Sequence, residues 1–581
     1  MFVIATAGHV DHGKSALLRA LTGMEPDRWE EEQRRGLTID LGFVWMEAAR
    51  GPIAFVDVPG HERFVGNMLA GVGPVPAVLF VVAADEGWMP QSAEHLTALH
   101  ALEVRHGLLA ITKSDVMEPE LAAEEALLQI GRTSLSDVPW VGVSARTGDG
   151  LPELRAALDD LVAGLPASDP VAPIRLWVDR GFTIRGAGLV VTGTLAAGTI
   201  RVGDTLELAR TGERYVVREL QSMNRHADEA VAVARVALNL RGAHRGDVGR
   251  GDALMTPGSY RGTAVADIRT RHCAPDDLPP GLLVHIGAAT VDCGLRPLGP
   301  DTARLTLSSP LPLRVGDRVV LRHDRGVAGG AVVLDVDPPV FGRRGAARRR
   351  AGQLDGYPDA PDGLSELRRR GFVREGTLRQ IGVEPPVPPL VGDWLVAPEL
   401  VGTLRDRLTA LVAARTADPS AAPLRVDDAR KELDLPDVRL VPALLAEGLT
   451  VRHGMILSAS APDQLAPAVR DALAALEKRL DGAGFTVLTE AELAPLGLGR
   501  AEIAAAGRAG RLVRLTPDVV LLTRTVDGCL DVLAALPQPF TAGEAREALG
   551  TSRKVVVPLL EHLANEGRTR RVVDGHLVTG R

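Results

Sequence analysis

Eight residues near the N-terminus, Gly8-His-Val-Asp-His-Gly-Lys-Ser15, constrain this chain more than any other segment. They fit the pattern G-x-x-x-x-G-K-[ST] and lie between an apolar run at residues 2–6 and a helix-forming stretch at residues 16–21. A strand that turns through glycines into a helix curls its backbone so that successive N–H groups converge on phosphate oxygens. The helix N-terminus adds positive potential there. Gly8, Asp11, His12, Gly13, Lys14, Ser15 and Ala16 are therefore expected around the phosphates of a nucleotide. Lys14 is expected on the β- and γ-phosphates and the Ser15 hydroxyl on Mg²⁺. Further apolar runs at residues 53–56, 78–83, 108–112 and 141–143 alternate with helical stretches. That is the pattern of a parallel sheet with crossover helices, so an α/β P-loop domain is expected over residues 1–168.

The remaining motifs come in a consistent order. Asp57-Val-Pro-Gly-His61 ends the second apolar run. A carboxylate there can hold Mg²⁺ directly or through water, and the Gly60 N–H can sense the γ-phosphate. His61 sits where it can orient an attacking water. Thr38, in Arg35-Gly-Leu-Thr-Ile-Asp40, lies between the two magnesium motifs and offers a second hydroxyl to the metal. Leu37 and Val10 can flank the water as an apolar gate. Thr112-Lys-Ser-Asp115 closes a buried strand. Asp115 can accept two hydrogen bonds from a guanine edge; adenine would leave the carboxylate unpaired. Lys113 can lay its stem over the base. Ser144 and Ala145 can present a backbone N–H to the guanine carbonyl. The expected enzyme is a GTPase using GTP/GDP and Mg²⁺.

Beyond a Pro-rich linker at residues 164–173 the texture changes to short strands broken by Gly, Pro and Asp. Ile200-Arg-Val-Gly-Asp204 and Leu313-Arg-Val-Gly-Asp317 echo each other. Two antiparallel β-barrels are expected, over residues 174–258 and 260–340. The cluster between Arg343 and Arg350 reads as a solvated hinge or, alternatively, an RNA or ribosome contact. Residues 343–581 then carry a spaced repeat. Gly448, Gly510 and Gly567 each end a helix, and Arg452, Arg514 and Arg571 come four residues later, ahead of an apolar strand. A fourth copy at Gly371 and Arg374 has a different spacing. Helices closed by a two-stranded wing make this an α+β tandem winged-helix array, its last repeat at about 527–581. There Thr551 or Ser552 can cap a helix running to about Asn565. Arg553 and Lys554 fall in its first turn, where cations oppose the helix dipole and so are not placed for stability. With Arg546, Ser552, Arg570 and Arg571 they form a candidate RNA surface; a solvated basic face is the alternative.

The net charge of −8 confines any nucleic-acid contact to local patches. The three cysteines are far apart and form no C-x-x-C pair, which argues against a zinc site or disulfide framework. No apolar run reaches the length of a membrane span, and the first residues lack signal-peptide features. A cytoplasmic, monomeric protein with no membrane partner is expected.

The motifs at residues 8–15, 35–40 and 57–62, with Ala83-Ala-Asp-Glu-Gly-Trp-Met-Pro-Gln91 and Phe182-Thr-Ile-Arg-Gly-Ala-Gly-Leu-Val-Val-Thr-Gly-Thr194, resemble the translational GTPases close to elongation factor Tu. Thr38-Ile-Asp-Leu-Gly-Phe43 combined with Thr112-Lys-x-Asp115 resembles the bacterial selenocysteine-specific elongation factors, the SelB family. So does the C-terminal array. The resemblance implies delivery of selenocysteinyl-tRNA to the ribosome at a recoded UGA codon, while the winged helices bind an mRNA hairpin. It also implies that Asp179, Arg180 and Arg235 line the aminoacyl pocket. A selenol ionises more readily than a serine hydroxyl, so a cationic pocket suits selenocysteine. A salt bridge across the barrel is the alternative for the two arginines. Two departures stand out: Thr112 replaces the more usual Asn, and no Gly precedes Arg235. A general or initiation-type tRNA carrier, or a GTP-regulated nucleic-acid-binding module, are the rival functions.

Overall fold

The computed structural model describes residues 1–26, 38, 40–61, 64–73, 75–186, 188–324, 326–342, 345–417, 423–452, 454–458, 465–481, 484–572 and 575–579. Leu37, Arg343 and Arg344 lie outside the described residues. The chain divides into two compact units, one of residues 1–366 with 375–386, the other of residues 367–374 with 387–581.

The first unit opens with β1 (Phe2–Ala7), α1 (Lys14–Thr22), β2 (Gly42–Met46), β3 (Ile53–Asp57), α2 (Val65–Val72), β4 (Ala77–Ala83), α3 (Pro90–Ala101), β5 (His106–Thr112), α4 (Glu120–Ile130), β6 (Trp140–Gly142) and α5 (Leu151–Ala163). The sheet order is β2-β3-β1-β4-β5-β6. Only β2 runs antiparallel, against β3; the other pairs are parallel. All seven residues of β4 are buried, as its unbroken apolar run requires in a sheet covered on both faces. The loops after β1, β3, β5 and β6 carry the four expected nucleotide motifs. They meet at one edge of the sheet, where strand order reverses and open α/β sheets bind ligands.

Next come β7 (Arg175–Ile184), β8 (Gly188–Leu195), β9 (Thr199–Arg201), β10 (Thr205–Leu208), β11 (Arg214–Ser222), β12 (Arg225–Ala227), β13 (Glu229–Val231), β14 (Ala234–Arg241) and β15 (Ala253–Met255). The order β10-β15-β7-β8-β14-β11 closes into a ring through the β10–β11 pair. A second closed barrel is made of β16 (Thr263–Arg271), β17 (Gly281–Ile286), β18 (Ala289–Pro297), β19 (Thr302–Leu311), β20 (Arg318–His323) and β21 (Gly326–Asp335). The echoed Val-Gly-Asp turns have one physical form. Gly203 and Gly316 take φ +95° and +88°. In each turn the next residue, an Asp, accepts from the N–H three positions earlier, Asp204 from Arg201 and Asp317 from Arg314, both at 2.7 Å. Asp317 also holds Arg175 through two bonds of 2.6 and 2.7 Å, joining the barrels.

The solvated-hinge expectation fails at Arg350. This residue of α6 (Ala346–Asp355) is 2% exposed. Its guanidinium bonds Asp267 at 2.7 Å and Asp335 at 2.6 Å, and Arg304 bonds Asp267 from the other side. Arg269 adds bonds to the Leu354 and Tyr357 carbonyls. A carboxylate pair buried in the barrel needs counter-charge, and α6 supplies it. The first unit thus extends past residue 343.

In the second unit the repeat is plain. Gly448, Gly510 and Gly567 all take left-handed φ, of +85°, +70° and +71°. The wings are Leu449–Arg452 with Met455–Ser458, Leu512–Thr516 with Val519–Leu522, and Thr569–Val572 with Gly575–Val578. The copy of altered spacing has the same parts, Gly371 at φ +71° and the pair Phe372–Arg374 with Trp394–Val396. No helix among the described residues is long and apolar enough to cross a membrane.

Candidate functional site

The phosphate loop is held by close backbone approach. A methyl group on Gly8 would lie 2.1 Å from the Val81 carbonyl oxygen, so the first position must be glycine. Asp11 takes φ +64° and Gly13 φ +80°, turning the chain into α1. Lys14, only 6% exposed, donates from Nζ to the Gly8 and His9 carbonyls at 3.0 and 2.7 Å, spanning its own loop. A methyl on Gly60 would sit 2.6 Å from both that Nζ and the Val10 nitrogen. The loop bearing His61 therefore lies directly on the phosphate loop. His61 is half-buried, its ring 6.0 Å from that of Phe64.

Ser15, Thr38 and Asp57 converge. Ser15 Oγ donates to Asp57 Oδ2 at 2.6 Å and lies 3.0 Å from Thr38 Oγ1. Thr6 Oγ1 donates to the other Asp57 oxygen at 2.8 Å and accepts from the Val58 N–H, fixing a wholly buried carboxylate. Two hydroxyls and one carboxylate form an all-oxygen donor set, which suits Mg²⁺ completed by phosphate and water oxygens. Among the described residues no cluster of three His, Cys, Asp or Glu offers a rival metal site.

His12 is fully buried, and that burial lowers its pKa to about 4, so it is neutral. Its backbone carbonyl accepts from Thr112 Oγ1 at 2.7 Å. The hydroxyl that stands where Asn is more usual thus ties the base loop to the phosphate loop. A cavity of ≈ 460 Å³ opens beside them, lined by Gly13, Ala16, Thr112, Lys113, Asp115 and Ala145 among others. Lys113 Nζ is held by Glu86 at 2.7 Å and Asp85 at 3.1 Å. The buried Ser144 donates to Asp115 at 2.6 Å, and this bond, helped by Arg146, holds the Asp115 carboxyl below its ordinary range. Asp115 stays ionised, as the expected bonds to a guanine edge require.

Arg180 and Arg235 line a second cavity, of ≈ 550 Å³, between β2 and the first barrel, with Phe43, Trp45 and Phe182. Arg235 binds Asp179 through both terminal guanidinium nitrogens, Nη1 to Oδ2 and Nη2 to Oδ1, the latter at 2.7 Å, and lies 3.7 Å over the Phe43 ring. Thr192 donates to Asp179 at 2.7 Å. The cross-barrel salt bridge and the lining position therefore coexist at Arg235. In the last winged helix, Ser552 is the N-cap residue of the helix Arg553–Asn565 but makes no side-chain cap bond. Arg553, Lys554, Arg570 and Arg571 are exposed, the first pair in that helix and the second on the wing. Arg546 pairs with the neighbouring Glu547 at 3.0 Å.

The chain has relatives throughout its length. Residues 1–164 match the elongation factor Tu GTP binding domain, 188–255 elongation factor Tu domain 2, and 531–578 the winged helix of elongation factor SelB. Elongation factor Tu 2 of Streptomyces avermitilis is 36% identical over 282 residues, 44% of this chain and 72% of that one. The selenocysteine-specific elongation factors of Desulfomicrobium baculatum and Escherichia coli are 38% and 39% identical over 57% and 59% of this chain. A crystal structure of a bacterial selenocysteine-specific elongation factor aligns over 100% of both chains, at 26% identity and a TM-score of 0.72. The chain belongs to the elongation factor Tu-like translational GTPases. The matched stretch spans little more than half of the two curated SelB-family relatives, 55% and 56% of their lengths.

For an elongation factor Tu-like GTPase the site fits GTP and Mg²⁺. A side chain on Gly60 would fill the space against Lys14 Nζ and the Val10 nitrogen, where phosphate oxygens would lie, and the Ser15, Thr38 and Asp57 oxygens would hold the metal. Sequence reasoning missed three kinds of contributor. Gln91 and His95 of α3 accept from the Val10 and Gly8 N–H groups at 3.0 and 3.1 Å and shape the phosphate loop. Burial lowers the His95 pKa to about 3, so its Nδ1 stays an acceptor. Arg146 pairs with Asp115 at the mouth of the base cavity. Asp40 and Phe43 engage the barrel arginines. Gln91, Asp40 and Phe43 stand inside the family motifs; His95 and Arg146 carried no signal.

Proposed function

We propose that this chain carries selenocysteinyl-tRNA to the ribosome in a GTP-driven cycle, and that its last winged helix binds an mRNA hairpin. The observation that carries the reading is the cavity beside β2, where two guanidiniums face an apolar wall within reach of the segment bearing Thr38. An ionised selenol gains a charge-assisted bond there that a serine hydroxyl cannot match.

GTP supplies the γ-phosphoryl group, and Mg²⁺ would neutralise charge that builds on its oxygens. Lys14 and the loop N–H groups bind and orient the phosphates. Asp115 and Lys113 hold the base. His61 orients the attacking water, with Val10 against Gly60 limiting its access. Loss of the γ-phosphate releases Thr38, and the aminoacyl cavity loses its β2 wall. The exposed cations of the last winged helix hold RNA phosphates and raise the factor's local concentration near the correct codon.

The test is the affinity of the protein, loaded with a non-hydrolysable GTP analogue, for one tRNA charged with selenocysteine and then with serine. Tighter binding of the selenocysteinyl form by about 10-fold or more, one full ion-pair contribution, is expected. Equal binding would overturn the pocket reading and leave a general tRNA carrier. A preference of the full chain for duplex DNA over an RNA hairpin would overturn the hairpin reading.

A further inference from the structure

Asp40 stands where two sites meet. It lies two residues after Thr38, whose hydroxyl is within 3.0 Å of Ser15 in the metal set. It lies two residues before Gly42, which pairs in register with the metal-site Asp57. Its own carboxylate leaves the first domain altogether. Oδ2 accepts from Arg180 Nη2 at 2.6 Å, and Oδ1 lies 3.7 Å from Arg250 of the barrel. The same Arg180 nitrogen reaches the Leu41 carbonyl at 3.3 Å. One residue past Gly42, the Phe43 ring lies 3.7 Å under the Arg235 guanidinium. Each cation of the aminoacyl cavity is thus held by a residue of the stretch from Thr38 to Phe43, and both of those residues line the cavity as well.

We propose that Asp40 is a positioning residue which couples the γ-phosphate switch to the aminoacyl pocket, by aiming the Arg180 guanidinium into the cavity only while Thr38 is seated in the metal set. The substrate half of this rests on the function proposed above; the coupling itself does not. Three physical points support it. Consecutive Cα atoms are about 3.8 Å apart, so Asp40 lies within about 7 Å of Thr38 along the chain and any larger displacement of Thr38 is passed on to it. An arginine side chain has several free torsions, and an anion bonded to it removes most of that freedom, so the cost of ordering it is met before substrate arrives. The pair is also partly exposed, about one quarter on each side. It is therefore weak enough to break and re-form in each cycle. Linkage then requires reciprocity. If the γ-phosphate favours the Asp40–Arg180 pair, the pair must favour the γ-phosphate by the same factor, with or without tRNA.

That reciprocity gives a test that needs no tRNA. The affinities of a non-hydrolysable GTP analogue and of GDP are measured for the full chain, for Asp40→Asn, for Arg180→Gln and for the double variant. Each single substitution is expected to lower the ratio of analogue to GDP affinity about three-fold, the range of a partly exposed ion pair. The double variant is expected to fall no further. Unchanged GDP affinity shows that the variants are folded. A ratio unmoved by Asp40→Asn, or single effects that multiply in the double variant, would overturn the proposal. In a second arm, Asp40→Asn bound to the analogue is expected to prefer selenocysteinyl- over seryl-tRNA less than the parent does. Tighter selenocysteinyl-tRNA binding by the variant would make Asp40 a competitor and would also overturn it. If the parent chain itself binds both tRNAs equally while the nucleotide cycle behaves as expected, the substrate reading falls and the coupling stands.

Discussion

His61 sits on a loop packed on the phosphate loop through Gly60, so its position is set by backbone contact and not by its own side chain. His61→Ala should therefore leave GTP and GDP affinities within about two-fold, since the imidazole acts on water and does not hold the nucleotide. Ribosome-stimulated hydrolysis should fall by about 10²-fold or more, the scale of a positioned group acting on the reacting water. Single-turnover hydrolysis on ribosomes, beside nucleotide titration, separates the two; turnover near the parental rate would remove His61 from the chemistry. At this scale much was legible. Residues in contiguous motifs, Lys14, Ser15, Asp57 and Asp115, stand where their order and spacing put them. The illegible ones act at long sequence separation. His95 reaches Gly8 across 87 positions, and Arg180 reaches Asp40 across 140. A lone polar residue on a helix or strand gives no local sign of such a partner. Thr112 shows the converse: it departs from the more usual Asn within a legible motif, and its bond to the His12 carbonyl gives that departure a structural use.

Helices and wings were read from glycine, because an αL turn is a local property that the residue type reveals. Gly448, Gly510 and Gly567 each open a wing for that reason. The N-terminal caps were less legible. Thr541 forms a capping box with Glu544, whereas Ser552 occupies the cap position of the last long helix without using its hydroxyl. That helix begins Arg553-Lys554, with no acidic residue in the first turn. Its design therefore leans away from stability and toward an anion. Substituting both residues by Gln should cost no stability, and should add up to about 0.3–1 kcal/mol per charge as the unfavourable dipole interaction goes. Hairpin RNA binding should weaken, and the slope of log affinity against log salt should shrink by about one for each phosphate no longer neutralised. Thermal unfolding and a salt series on the double variant check both signs together. Lower stability with an unchanged salt slope would make these cations structural.

At the scale of the first unit, charge burial decides where one domain stops and the next begins, and sequence composition could not show it. The run between Arg343 and Arg350 reads as uniformly basic, yet its members have opposite fates. Arg348 and Arg349 are exposed, while Arg350 is enclosed with Asp267 and Asp335, both 0% exposed. The chain cannot swing freely at α6 without stripping two buried carboxylates of a partner. Arg350→Met keeps the bulk and removes the charge. It should destabilise the barrel by about 3–5 kcal/mol, the cost of leaving one side of a buried ion network uncompensated. Arg348→Gln with Arg349→Gln should stay within about 0.5 kcal/mol, as exposed substitutions do. Hydrogen exchange localises the effect, which a single unfolding midpoint cannot do in a multidomain chain. In Arg350→Met, protection should be lost across residues 346–355 and in the strand Gly326–Asp335, while the α/β sheet keeps its own. Equal protection in both variants would mean that α6 is held by its apolar contacts alone, Leu354 foremost, and that the buried arginine is not the pin that fixes this helix to the barrel.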